Sequence, residues 1–187
     1  MTEKPRKLNL GCGDKKIHGF INVDGRADTN PDIVCDISNI SKAFRDVDLI
    51  YACHVLEHFP KTANSFYQTT YLDILADWFT ALKPGGILRL SVPDMQAVLE
   101  RYQHTKNLTE VMSFLYGGQK YDFDFHFCGW DFELLESVLL EIGFKSVKRY
   151  DWRKTEHAFV DDYSQAYLPG MMKETGKLMS LNVEAIK

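Results

Sequence analysis

The chain has 187 residues, 45% of them hydrophobic and 13% aromatic, enough for one domain with a substantial buried core. A formal net charge of −4 and a pI near 5.9 provide no broad cationic face, so nucleic acid is not the expected partner. Four scattered cysteines without a C-x-x-C pair argue for reduced thiols, and no apolar run approaches a membrane span, so a soluble cytoplasmic protein is expected.

The first informative stretch is Lys7 to Asp24, KLNLGCGDKKIHGFINVD. A short apolar run through Leu8 and Leu10 breaks at Gly11-Cys12-Gly13, and a second run, Phe20 to Val23, ends on Asp24. This reads as strand, glycine turn, strand, with an acid at the second strand's tip. Glycines let the main chain approach a ligand, and the acid can accept both hydroxyls of a ribose. Together they make half of a nucleoside site in a doubly wound α/β fold. Other nucleotide motifs do not fit: Lys16 stands where a dinucleotide fingerprint has its third glycine, and no P-loop is present.

Further on, Ile33-Val34-Cys35 predicts a brief buried strand closing on Asp36, and Ile37 to Arg45 has room for about two helical turns before a strand over Val47 to Ala52. Tyr71, Ile74, Leu75, Trp78, Phe79 and Leu82 form an apolar stripe, which predicts a helix over 69–82 stopped by Lys83-Pro84-Gly85-Gly86. Ile87 to Val92 is then a central strand. Asp94 after it is either a cleft residue or the cap of a helix over 95–102. Residues 107–130 show no regular pattern and end in a run of aromatics. A helix over 131–142 stops at Gly143, and strands are expected over 144–152 and 178–187. The loop 153–176 is long enough to suggest a functional role.

Taken in order, LNLGCG, NVD, VCDIS, DLIYACHVLEHFP and LKPGGILRLSVPD follow the spacing of class I S-adenosylmethionine-dependent methyltransferases. With LYGGQ and the pattern ending at Phe144, the chain from about Lys7 onward resembles the small type 11 group of that family. The resemblance implies a Rossmann-like, doubly wound, seven-stranded and mostly parallel sheet with one antiparallel strand, in a single domain spanning 1–187 with a candidate lid at 104–130. One departure is local: about six residues separate Gly13 from Phe20, so the first crossover helix must be vestigial.

The resemblance further implies S-adenosylmethionine as cofactor, S-adenosylhomocysteine as product, and a small-molecule or saccharide acceptor. The implied cofactor contacts are Leu10, Gly11, Cys12, Gly13, Asp24, Asp36, Ile37, Cys53 and His54, with Asp36 near the adenine. For Asp36, capping of the following turn is the competing role. His126, amid aromatics, is the candidate acceptor-side base, with His54 beside the cofactor. A non-catalytic cofactor-binding module is the second reading. A third comes from His54-Val55-Leu56-Glu57-His58, which matches the H-x-x-E-H motif of inverted zinc peptidases. Pro60 would disrupt a helix carrying both histidines, so no metal ligands are assigned and His58 is expected to be a packing or surface residue. The aromatics of 121–130 could also form a homodimer contact. Lys145, Lys148, Arg149, Arg153 and Lys154 form either a solvated basic face or an attractor for an anionic acceptor.

Overall fold

In the computed structural model, which describes residues 5–187, Leu8 and Leu10 anchor the first strand, β1 (Lys7–Leu10), with no exposed surface. The chain continues through β2 (Ile21–Asp24), β3 (Ile33–Val34), α1 (Ile40–Ala43), β4 (Val47–Cys53), α2 (Tyr71–Ala81), β5 (Leu82–Pro93), α3 (Met95–Thr105) and α4 (Leu108–Tyr116). It ends with α5 (Phe132–Ile142), β6 (Ser146–Arg149), β7 (Tyr167–Leu168), β8 (Lys177–Leu178) and β9 (Ser180–Ile186). Seven strands form one sheet in the order β3-β2-β1-β4-β5-β9-β6, while β7 and β8 pair separately. Strands β1 to β6 run parallel; β9 is antiparallel to both neighbours, inserted between β5 and β6. This is the sheet the motifs imply.

Local chemistry explains the helices. Thr70 and Asp73 form a reciprocal capping box at the start of α2, which buries Tyr71, Ile74, Leu75 and Trp78. Asp131 caps α5, and Gly143 ends it. Asp94 caps α3 by accepting from the Gln96 and Ala97 N–H groups, so the capping alternative holds there. No helix separates β1 from β2, as the short spacing required.

Several expectations change. Ile33 and Val34 are exposed at 38% and 56%, because β3 is a two-residue strand at the sheet edge. The irregular stretch contains α4, whose single buried residue, Val111, leaves no apolar stripe to read. Strand β5 starts at Leu82 rather than Ile87, its Lys83-Pro84-Gly85-Gly86 segment absorbed in a register shift between Val47 and Leu49 of β4. The strand expected over 144–152 is shortened to β6, and that over 178–187 divides at Met179 between β8 and β9. Arg149 pairs with Asp94 at 3.5 Å, Lys148 with Glu184 at 3.4 Å and Arg153 with Asp151 at 3.5 Å, so this part of the basic cluster is matched by acids.

The long loop is fastened to the sheet by polar contacts. Tyr51 donates to Asp162 at 2.8 Å and Asn182 donates to the Ser164 carbonyl at 2.9 Å. Nearby, His157 is buried between Tyr51 and Phe20, with ring centroids 4.3 and 5.7 Å away. Burial first, and then the Arg89 guanidinium, hold its pKa down to about 4. An imidazole that stays neutral when folded contributes stability above its unfolded pKa of about 6.5, and that contribution is lost as pH falls toward 4. The stability attributable to His157 should therefore drop by about 2 kcal/mol between pH 7 and pH 5. Urea unfolding at the two pH values checks this. His157→Phe should reduce the loss by that amount, and an unchanged loss would remove His157 as its source.

Candidate functional site

The parallel strands β1 and β4 lie side by side, with the chain crossing from β1 to β2 on one side and from β4 to β5 on the other. This reversal of strand order opens a crevice beyond their carboxyl ends, where α/β sheets bind ligands. Two adjoining cavities of about 410 and 420 Å³ occupy it and share Gly11, Arg26, His54, His58 and Tyr121. Each falls in the size range of small-molecule sites.

The first cavity is framed by Gly11, Asp24, Arg26, Asp36, Ile37 and Val55. Gly11 turns the chain with φ +63°, and Gly13 follows at +50°. Asp24, 6% exposed, accepts from the Gly13 N–H at 2.7 Å through Oδ2 and from the Arg26 N–H at 2.8 Å through Oδ1. The carboxylate thus ties the glycine turn to the β2 tip and still faces the cavity. Asp36 accepts from the Ser38 N–H at 2.9 Å, so it does cap the next turn, and it lines the cavity as well. Leu10 is wholly buried in the core and lines neither cavity.

The second cavity takes in Cys12, Gly13, Cys53, His126, Asp162 and Tyr163. Burial, then the Asp24 charge, push the Cys12 thiol up to about 11, and burial raises Cys53 well above the ordinary thiol range. Both are neutral thiols at neutral pH rather than nucleophiles.

The H-x-x-E-H residues do not share a helix. His54 has φ +52° and a tight turn follows at Leu56–His58, with Pro60 close behind. His58 nonetheless lines both cavities, against the expectation of a packing or surface role. Glu57 is completely buried, and neither carboxylate oxygen has a hydrogen-bond partner among the described residues. Burial pushes its pKa up to about 8. His54 Nδ1 lies 3.3 Å from Glu57 Oε1 and His126 Nε2 lies 3.9 Å from it. Burial and the neighbouring His58 hold His126 down at about 4, and burial holds His54 at about 3.

Sequence reasoning passed over Arg26 and Tyr163, weighed Glu57 only as part of the zinc-peptidase motif, and read Tyr121 and Phe123 only as members of the aromatic run 121–130. Arg26, two residues past Asp24, stacks on the Tyr121 ring at 4.7 Å. Tyr121 and Phe123 come from the candidate lid segment 104–130 and wall the first cavity. The aromatic run and the long loop were the available signals for Tyr121, Phe123 and Tyr163; nothing local marked Arg26.

With this geometry in view, the chain has the fold of class I S-adenosylmethionine-dependent methyltransferases. A methyltransferase of this kind from Methanosarcina mazei superposes with TM-score 0.59 at 16% identity, over 100% of this chain and 94% of that one. One from Archaeoglobus fulgidus gives 0.58 at 15% identity, over 98% and 86%. The plantazolicin methyltransferase, in complex with a triazolic desmethyl analogue and S-adenosylhomocysteine, gives 0.57 at 13% identity, over 97% and 76%. No family model and no curated protein matches the sequence.

Proposed function

We propose that this protein binds S-adenosylmethionine in the first cavity, with its amino-acid portion reaching the Cys12–Gly13 end of the second, and transfers its methyl group to a small-molecule or carbohydrate-type acceptor held in the rest of the second. The observation that carries the reading is Asp24, a buried carboxylate at the β2 tip, facing a cavity beside the glycine turn at the sheet's switch point. A ribose requires such an acceptor pair, and the carboxylate retains lone pairs beyond those given to Gly13 and Arg26.

The cofactor supplies a methyl group already activated on a sulfonium, which passes in line to the acceptor and leaves S-adenosylhomocysteine. The chain's own task is to bind, align and exclude water. Gly11, Cys12 and Gly13 pass their backbone beneath the amino-acid portion, Asp24 holds the ribose hydroxyls, and Asp36 with Ile37 flanks the adenine. Cys53 and His54 sit at the junction with the acceptor cavity, and Tyr121 and Phe123 cover the site. His126 faces the acceptor with a neutral ring. The unpaired cysteines support a cytoplasmic location; among the described residues no helix is long and apolar enough to cross a membrane.

Calorimetric titration with S-adenosylhomocysteine tests the reading: one site per chain at micromolar affinity or tighter is expected. Asp24→Ala should weaken binding by about 1 to 3 kcal/mol, the loss of charge-assisted hydrogen bonds. Unchanged affinity would take Asp24 out of the site, and absence of binding by the intact protein would overturn the function.

A further inference from the structure

Around Glu57, each histidine has one ring nitrogen committed elsewhere. His58 Nδ1 lies 2.9 Å from the Phe125 carbonyl and His126 Nδ1 lies 3.0 Å from the Phe114 carbonyl. A carbonyl oxygen only accepts, so both Nδ1 atoms carry the proton and both neutral rings present a bare Nε2. His54 is fixed in the same way: Ser180 donates its hydroxyl hydrogen to the Tyr163 carbonyl at 2.5 Å, so it accepts from His54 Nε2 at 2.9 Å and leaves His54 Nδ1 bare. Two imidazole lone pairs, on His54 Nδ1 at 3.3 Å and His126 Nε2 at 3.9 Å, therefore face Glu57 Oε1, and His58 stands within 4.8 Å of the His126 and Glu57 ligand atoms, around a carboxylate whose two buried oxygens have no hydrogen-bond partner among the described residues. A protonated Glu57 has one hydrogen to offer, which answers only one of these contacts. A cation answers several at once.

We infer that Glu57, His58 and His126 form a binding site for a first-row divalent cation such as zinc, at the boundary between the two cavities. One ligand atom from each of the three lies within 4.8 Å of the others. Two imidazoles and one carboxylate are a donor set for metals of this type, and the two backbone carbonyls behind the rings are the outer hydrogen bonds that orient metal-ligating histidines. The site was invisible in the H-x-x-E-H spacing alone, because the third ligand is His126, 68 positions after His58, rather than His54.

Glu57 lies behind the two histidines, which line the acceptor cavity, so the cation's remaining positions face that cavity. This points to an oxygen-donor acceptor, a part of the inference that rests on the methyltransferase reading. A hydroxyl held on the cation loses its proton to solvent water more readily. Its oxygen lone pair then forms the O–CH3 bond as the S–CH3 bond breaks, the bonding electrons passing to sulfur.

The test is metal analysis of the purified protein, followed by titration of the chelator-stripped protein with Zn2+ and Co2+. One equivalent per chain is expected, with visible Co2+ absorption of a low-coordinate site that shifts on addition of azide. Glu57→Gln and His126→Ala should each lower affinity on the order of 100-fold, with cooperative thermal unfolding retained as the check on folding. Failure to bind either ion, or unchanged affinity in both folded variants, overturns the site; a Co2+ spectrum indifferent to azide overturns the open face. A parallel S-adenosylhomocysteine titration separates the two claims. Cofactor binding without metal sinks this inference alone, and metal binding without cofactor sinks the methyltransferase reading together with the assignment of an acceptor.

Discussion

Gly11→Ala is expected to lower folding stability by about 2 to 5 kcal/mol and to weaken cofactor binding at the same time. Two separate costs combine. A Cβ at this position would lie 2.6 Å from Val55 Cγ2, a contact that must be relieved by movement of one segment or the other. Overpacking of this kind costs about 1 to 3 kcal/mol. The backbone at φ +63° adds a left-handed conformation that a residue with a Cβ adopts at about 1 to 2 kcal/mol. The steric part is separable, because Val55→Ala removes the methyl that Cβ would strike. In the double variant the two substitutions should be non-additive, Gly11→Ala costing about 1 to 2 kcal/mol there rather than its full amount. Urea unfolding of the four proteins measures this. Strict additivity would show that the turn moves away from Val55 instead of pressing on it. The same turn borders both cavities, so S-adenosylhomocysteine affinity should fall in the single variant and recover in part in the double.

How much of this could be read from the chain depended on whether the deciding interaction was local. Leu8, Leu10 and the glycine turn signal a strand and its exit within a few residues, and Asp24 follows at the next strand tip. The sheet order and the antiparallel β9 came from matching several motifs in sequence, since pairing between Ile87 and Ile186 has no local signature. Helix α4 escaped notice because it buries one residue and leaves Leu108, Met112 and Tyr116 exposed. Periodicity reports a helix only where a face is buried. Asp36 and Asp94 looked alike as strand-end acids, yet Asp36 lines the first cavity while Asp94 lines neither of the two and is held between the α3 N-terminus and Arg149. The largest gap was Glu57. Its letters were plain in the motif, but its complete burial follows from the fold of residues 121–130 over the turn, where Phe127 N–H donates to the Glu57 carbonyl at 2.8 Å.

Trp78→Ala should be the most destabilising of these changes, at about 3 to 5 kcal/mol, because it empties a fully buried indole site on the sheet-facing side of α2. The more informative variant is Trp78→Phe. The indole Nε1–H donates to the Ile37 carbonyl at 2.9 Å, and Ile37 together with Asp36 forms one wall of the first cavity. Phenylalanine keeps most of the apolar volume but leaves that carbonyl without its donor, for about 1 to 2 kcal/mol of stability. The core residue and the ligand wall are thus one connected unit: α2 is held by its capping box and its apolar face, and Trp78 carries that rigidity across to the 36–37 segment. Trp78→Phe should accordingly lower S-adenosylhomocysteine affinity about threefold to tenfold, since a loosened wall must be ordered again on binding. Stability and affinity measured on the same preparations distinguish the roles. If Trp78→Phe loses stability while binding stays at the wild-type level, Trp78 acts in the core alone and the adenine side of the cleft is positioned by something else.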